Sequence, residues 1–177
     1  SKEFSIPFNL VITKKITVPE YPEVAIGAIA PDGTHEINDR VYSHLNLTEK
    51  DFEDAKERAL YKVKKRLEKY CNGKEPNVKS KNVIIIDDGI ATGFTAIVAG
   101  KYVNNNGAKT ATLAIPVCPA NDKEELEKIY NEVLCYHRAK TFRFAVGAFY
   151  KDFHQNTDEE LFDYLEKAKE EKILYES

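Results

Sequence analysis

Apolar residues fall into two rhythms along this chain. Short, nearly unbroken runs occupy residues 8–16, 24–30, 82–87, 110–117 and 132–136, and an aromatic run follows at 142–149. Such runs predict strands, and continuous rather than alternating ones suit a parallel sheet covered by helices on both faces. The stretches between them have helical spacing. Thr48 and Asp51 form a capping-box pattern, after which Phe52, Ala55, Ala59, Leu60, Val63 and Leu67 recur on one face as far as Cys71 and the Asn72-Gly73 stop. Asn121 with Glu124 and Thr157 with Glu160 repeat the start signal ahead of two more helices. "PDGT", from Pro31 to Thr34, reads as a β-turn and makes residues 24–37 a hairpin. The sum is an α/β domain with an open, mainly parallel sheet flanked by helices and a β-hairpin insertion.

A length of 177 residues suits one domain spanning residues 1–177. Hydrophobic residues at 42% and charged residues at 31% are ordinary for a globular chain. The 26 basic residues against 29 acidic ones, net −3, lack the basic footprint of a nucleic-acid surface. Purely apolar runs such as 83–86 are far short of the ~20 residues of a membrane span, and no signal peptide is visible. Cys71, Cys118 and Cys135 are odd in number and widely spaced, so reduced, buried thiols in a cytoplasmic protein are expected.

The densest chemistry lies in "VIIIDDGIATGFT", from Val83 to Thr95. Four apolar residues lead to Asp87 and Asp88 at the carboxyl end of a strand, where open α/β sheets bind ligands. Glycines and hydroxyls then fill residues 89–95 ahead of a helix start, so backbone N–H groups and the helix dipole converge on one anion. Carboxylates beside an anion cradle make sense for a ligand with vicinal hydroxyls next to its phosphate, such as a ribose 5-phosphate. The string lacks the Lys of a Walker loop and the G-x-G-x-x-G of a dinucleotide fingerprint.

This string resembles the phosphoribosyl pyrophosphate (PRPP) motif of type I phosphoribosyltransferases. "VITKKITVPEYPEVAIGAIAPDG" and "FAVGAFYKDFHQNTDEEL" look like segments of the poorly characterised branch labelled "predicted phosphoribosyltransferase". The resemblance implies transfer of the 5-phosphoribosyl group from PRPP to a nitrogenous base with release of pyrophosphate, in nucleotide salvage. A regulatory protein that binds PRPP or a nucleotide without turnover is the alternative.

By the same resemblance, Asp87 and Asp88 contact the ribose 2- and 3-hydroxyls, with Mg2+ bound nearby through PRPP rather than directly by the protein. Thr92, Gly93 and Thr95, with the backbone of Ala91 and Phe94, hold the 5-phosphate, and Gly89 belongs to the same PRPP-binding stretch. Lys14 and Lys15, expected to end the first strand, meet pyrophosphate, and residues 18–23, "VPEYPE", match a flexible loop over the reacting centre. Tyr136, His137 and the aromatic run through Phe149 and Tyr150 are candidates to stack on the base, although aromatic residues at strand ends more often serve as core. A homodimer is expected by analogy alone. Ala91 stands where hypoxanthine and guanine enzymes have an acid, which disfavours that subclass and leaves the string closer to adenine-type members. Phe94 occupies a position that is usually small. Family members also carry a strand and a glycine-containing pyrophosphate loop before the segment matching residues 8–16, where seven residues stand here. The sequence therefore either starts partway along a longer chain or lacks part of the pyrophosphate site.

Overall fold

The computed structural model describes residues 1–120, 123–141 and 144–175. Two three-stranded sheets organise it. β1 (Lys14–Val18), β2 (Tyr21–Ile29) and β3 (His35–Ile37) form an antiparallel meander, followed by a short helix α1 (Asp39–His44) and the long α2 (Glu49–Cys71). β4 (Asn82–Ile86), α3 (Phe94–Asn105), β5 (Thr110–Pro119), α4 (Lys123–Glu127) and β6 (Glu132–Ala139) then alternate, and β4, β5 and β6 pair in parallel in chain order. A 3-10 turn (Val146–Phe149) and α5 (Asp158–Glu170) complete the chain.

The signals read from the sequence operate locally. The Thr48 hydroxyl accepts the Asp51 N–H while the Asp51 carboxylate accepts the Thr48 N–H, and Thr157 and Glu160 make the same reciprocal pair at α5. Phe52, Ala55, Ala59, Val63 and Leu67 are buried along α2, and Asn72, in a left-handed conformation, ends it. In the hairpin turn Asp32 accepts the Thr34 N–H at 2.8 Å, and Gly33 takes the positive φ of 89° that an L side chain resists.

Two apolar cores follow. Ile16, Val18, Ile26 and Ile29 pack with the buried stripe of α2, whereas Ala28 and Ala30 join α3 and the parallel sheet in a larger core around Val98, Tyr102, Leu113 and Ile115. Residues 8–16 do not form one strand. Val11 packs against the larger core and its neighbour Ile12 against the smaller, so this segment crosses from one to the other, and ladder pairing starts only where Lys14 faces Ile29. Lys14 and Lys15 therefore open β1 instead of ending it. Phe8 makes a parallel bridge to Leu174, which ties the two ends of the chain together.

Three further expectations change. The later aromatic run is a 3-10 turn over Val146–Phe149, where tilted ring contacts replace the alternation of a strand; its Phe142 lies outside the described residues, as does Asn121 ahead of α4. Cys118 and Cys135 are joined in a disulfide with Cα atoms 6.4 Å apart, and Cys71 is free. The parallel pairing of β5 and β6 creates that neighbourhood, which sequence spacing does not reveal. Helices α3 and α4 pack on one face of the parallel sheet, while the other face exposes Ile84, Ile86, Leu134 and Tyr136. Among the described residues no helix is long and apolar enough to cross a membrane.

Candidate active site

The site begins where β4 stops. Val83 and Ile85 pack into the larger core and hold the strand against β5, so the chain emerges beyond the carboxyl end of the sheet with Asp87 half-buried and Asp88 exposed. The Asp88 N–H donates to Oδ1 of Asp87 at 2.9 Å. Burial raises the Asp87 carboxyl above the ordinary aspartate range; the backbone hydrogen bond from Asp88 opposes that rise, and the neighbouring Asp88 charge adds to it.

Gly89 makes the next step possible. Its φ is 154°, and a Cβ there would stand 2.8 Å from Cγ1 of Val117, 2.9 Å from Cγ1 of Val146 and 3.0 Å from the Val117 carbonyl oxygen. That same carbonyl accepts the Ile90 N–H at 3.1 Å, and the Ile90 side chain is buried in the core. Ala91 and Thr92 are exposed, and Gly93, left-handed at φ 77°, starts α3. Gly93 has no side chain to cap the first turn, and no acid stands in that turn. A helix start in this condition offers N–H groups and a positive dipole end to an anion. The Phe94 ring packs against the larger core, so the bulk unusual at this position is taken up inward. The Tyr130 hydroxyl donates to the Ala96 carbonyl at 2.6 Å and fixes the first turn from the α4 side.

A cleft of about 530 Å³ opens beside the turn. Thr92, Gly93 and Phe94 line one side; Asn38, Asp39 and Arg40 at the start of α1, with Glu124 and Glu125 of α4, line the others. A larger hollow of about 590 Å³ lies on the open sheet face near Ala114, Leu134 and Tyr136, and its lining includes none of residues 87–95. The turn meets the smaller one through Thr92, Gly93 and Phe94, and Asp87 and Asp88 are not among its lining residues.

The chain that carries this turn is similar to known proteins. The family described as "Phosphoribosyl transferase domain" matches residues 3–152. The chain belongs to this family. Two Mycobacterium tuberculosis proteins, from strains CDC 1551 and H37Rv and provisionally named phosphoribosyl transferases, are each 31% identical to it over 169 residues, 95% of this chain and 38% of theirs. The chain thus spans well under half the length of these curated relatives. The crystal structure of TT1426 from Thermus thermophilus superposes with a TM-score of 0.71 at 28% identity, covering 94% of this chain and 78% of that one.

Within this phosphoribosyl transferase domain, the residues singled out from sequence separate into groups. Asp87, Asp88, Gly89, Ala91, Thr92, Gly93, Phe94 and Thr95 lie together, as one contiguous turn must. Lys14 faces α2, where burial and the charges of Arg66 and Lys62 lower its pKa, and Lys15 is exposed on the other side of β1. His137 lies 5.5 Å from the Phe149 ring, whereas Tyr136, 95% exposed, stands with Leu134 on the open face of the sheet.

Two side chains hold the site in ways that the sequence did not reveal, although Tyr150 belongs to the aromatic run named as a candidate base surface. One is Tyr130, whose signal was Gly100: a Cβ there would meet the Tyr130 ring at 2.7 Å, so glycine in α3 marks the close approach. The other is the hydroxyl of Tyr150, which donates to the Asp88 carbonyl at 2.6 Å across 62 residues of sequence.

Among the described residues no group of three or more His, Cys, Asp or Glu side chains is arranged to hold a metal. Two carboxylates beside an anion cradle fit Mg2+ nonetheless, because that ion keeps few protein ligands and takes the rest from water and substrate phosphates.

Proposed function

We propose that this domain transfers the 5-phosphoribosyl group of PRPP to a nitrogen of a base, with release of pyrophosphate, in nucleotide salvage. The observation that carries this reading is the acidic pair at the end of β4 running through Gly89 and Gly93 into the uncapped start of α3. Thr92, Gly93 and Thr95, with the backbone of Ala91 and Phe94, take the 5-phosphate, and the helix dipole stabilises its charge. Asp87 and Asp88 accept hydrogen bonds from the ribose hydroxyls. Displacement at the anomeric carbon develops positive charge on the ribose, which an exposed Asp88 carboxylate at close range stabilises. Mg2+, when bound with PRPP, neutralises the departing pyrophosphate. Of the basic pair assigned to pyrophosphate, Lys15 is the better match, since Lys14 faces α2 on the opposite side of β1. His137 and Phe149 form a surface on which a planar base stacks, and Ala91 leaves the base without an acidic partner, which disfavours a hypoxanthine or guanine acceptor.

Calorimetric titration of PRPP with Mg2+ into the protein and into an Asp87→Asn/Asp88→Asn double variant tests this. Binding that the variant loses, followed by pyrophosphate release with one of a panel of bases, is expected. Absence of binding to the unaltered protein overturns the reading. Binding with no pyrophosphate release from any base converts it to a PRPP-responsive regulatory protein.

A further inference from the structure

The segment after β6 touches the phosphate turn at two points. Val146 stands where a side chain on Gly89 would be, and the Tyr150 hydroxyl donates to the carbonyl of Asp88. Between them the 3-10 turn is closed by the Tyr150 N–H donating to the Gly147 carbonyl at 3.2 Å. Phe153 lies against Gly147, 2.8 Å from where its Cβ would be, and its ring meets Tyr150 at 5.2 Å. The Tyr150 ring is thus held from behind while its hydroxyl reaches the turn. Burial and the charges of Asp88 and Asp87 raise the phenol's pKa, so it remains a neutral donor.

The carbonyl it grips belongs to the peptide linking Asp88 to Gly89. Displacement of that peptide shifts the Asp88 backbone, which carries the side chain, together with the entry to the turn. Neighbouring anchors are backbone bonds at Ile90 and the Asp87–Asp88 contact, and neither fixes the Asp88 carbonyl. We propose that Tyr150 is a positioning residue: its hydroxyl fixes the Asp88–Gly89 peptide and so presents the Asp88 carboxylate to the ribose, coupling the aromatic segment after β6 to the donor turn. This rests on the PRPP reading for its ligand, but not for its mechanical content. A seated aromatic segment and an ordered donor turn become one event.

Tyr150→Phe keeps the ring against Phe153 and removes only the hydroxyl. Two measurements then answer separate questions. Hydrogen exchange of the Ile90 amide is expected to accelerate roughly tenfold, as for loss of one hydrogen bond, while amides of the α3 interior such as Val98 and Val103 are unchanged. PRPP affinity with Mg2+ is expected to fall by about the same factor. In combination with Asp88→Asn it is expected to fall no further than with Asp88→Asn alone, since Tyr150 acts through that carboxylate. Unchanged exchange at Ile90, or losses of affinity that multiply in the double variant, overturn the proposal. Should the unaltered protein bind no PRPP, the substrate reading falls and the exchange result alone decides on Tyr150.

Discussion

The turn after β4 and the segment after β6 reach the same place from strand ends in one parallel sheet, and they are made of opposite materials. The first works with its backbone: two glycines, an uncapped helix start and two short acids. The second works with rings, Phe144, Phe149, Tyr150 and Phe153, and among its described residues one 3-10 turn is the regular structure. A site built from backbone geometry writes its requirement into residue type, because only glycine accepts the conformation or the close approach. A site built from tertiary ring contacts writes nothing comparable, since a Phe facing a ligand and a Phe filling a core are the same letter.

Gly89 is where the two regions touch, so replacing it should have the largest effect. Gly89→Ala adds a Cβ within 3.0 Å of Val117 and Val146 atoms at a φ of 154° that alanine resists. Overpacking and backbone strain together should cost roughly 3 kcal/mol of stability, read as a lower denaturation midpoint, and should abolish PRPP binding. A stable variant with normal affinity would mean that the two regions are not locked together as the structure indicates.

Asp88→Asn separates binding from chemistry within the first region. The amide still accepts hydrogen bonds from hydroxyls but carries no charge to oppose a developing cation. Turnover should fall about 100-fold, a typical scale for losing one electrostatic stabiliser, with affinity for ribose 5-phosphate falling only about tenfold, as for one weakened hydrogen bond. Equal losses in both would make Asp88 a binding group only.

What the sequence disclosed follows the same division. The helices of the Thr48 and Thr157 capping boxes, the Asp32-Gly33 turn and the Asp87–Thr95 turn all rest on local chemistry, and each is legible. Residues 8–16 read as one strand in sequence because their apolar residues serve two different cores, a tertiary fact. The Cys118–Cys135 pairing and the Tyr150 contact likewise arise only once β5 and β6 lie side by side. Tyr136 and His137 are both exposed, yet Tyr136 stands on the open sheet face with Leu134 while His137 meets the Phe149 ring, a separation of neighbours that short apolar runs conceal.

A smaller effect comes from the raised pKa of Asp87. Between the ordinary aspartate value of about 3.9 and the raised one, the unliganded folded protein retains a proton that the unfolded chain has released. Stability should therefore fall as pH climbs through that window and level off above it. Asp87→Asn should flatten the slope, which denaturant titrations in steps from about pH 4 to 7 would reveal. On the proposed function PRPP affinity has the opposite sign: it should rise across the same window, because a charged carboxylate accepts from the ribose hydroxyls more strongly than a protonated one.

The smallest effect sharpens the comparison by its absence. Tyr136 is adjacent in sequence to His137, yet it is 95% exposed on the face that carries Ile84, Ile86 and Leu134, and none of residues 87–95 lines the hollow there. Tyr136→Ala should leave PRPP affinity and the base dependence of turnover within about twofold, the range expected of surface positions away from special features. His137→Ala, by removing a ring 5.5 Å from Phe149, should weaken the apparent affinity for the base while sparing that for PRPP. If instead Tyr136→Ala weakened base binding as His137→Ala does, the acceptor would have to reach around the end of β6, and the aromatic segment could not be its sole wall.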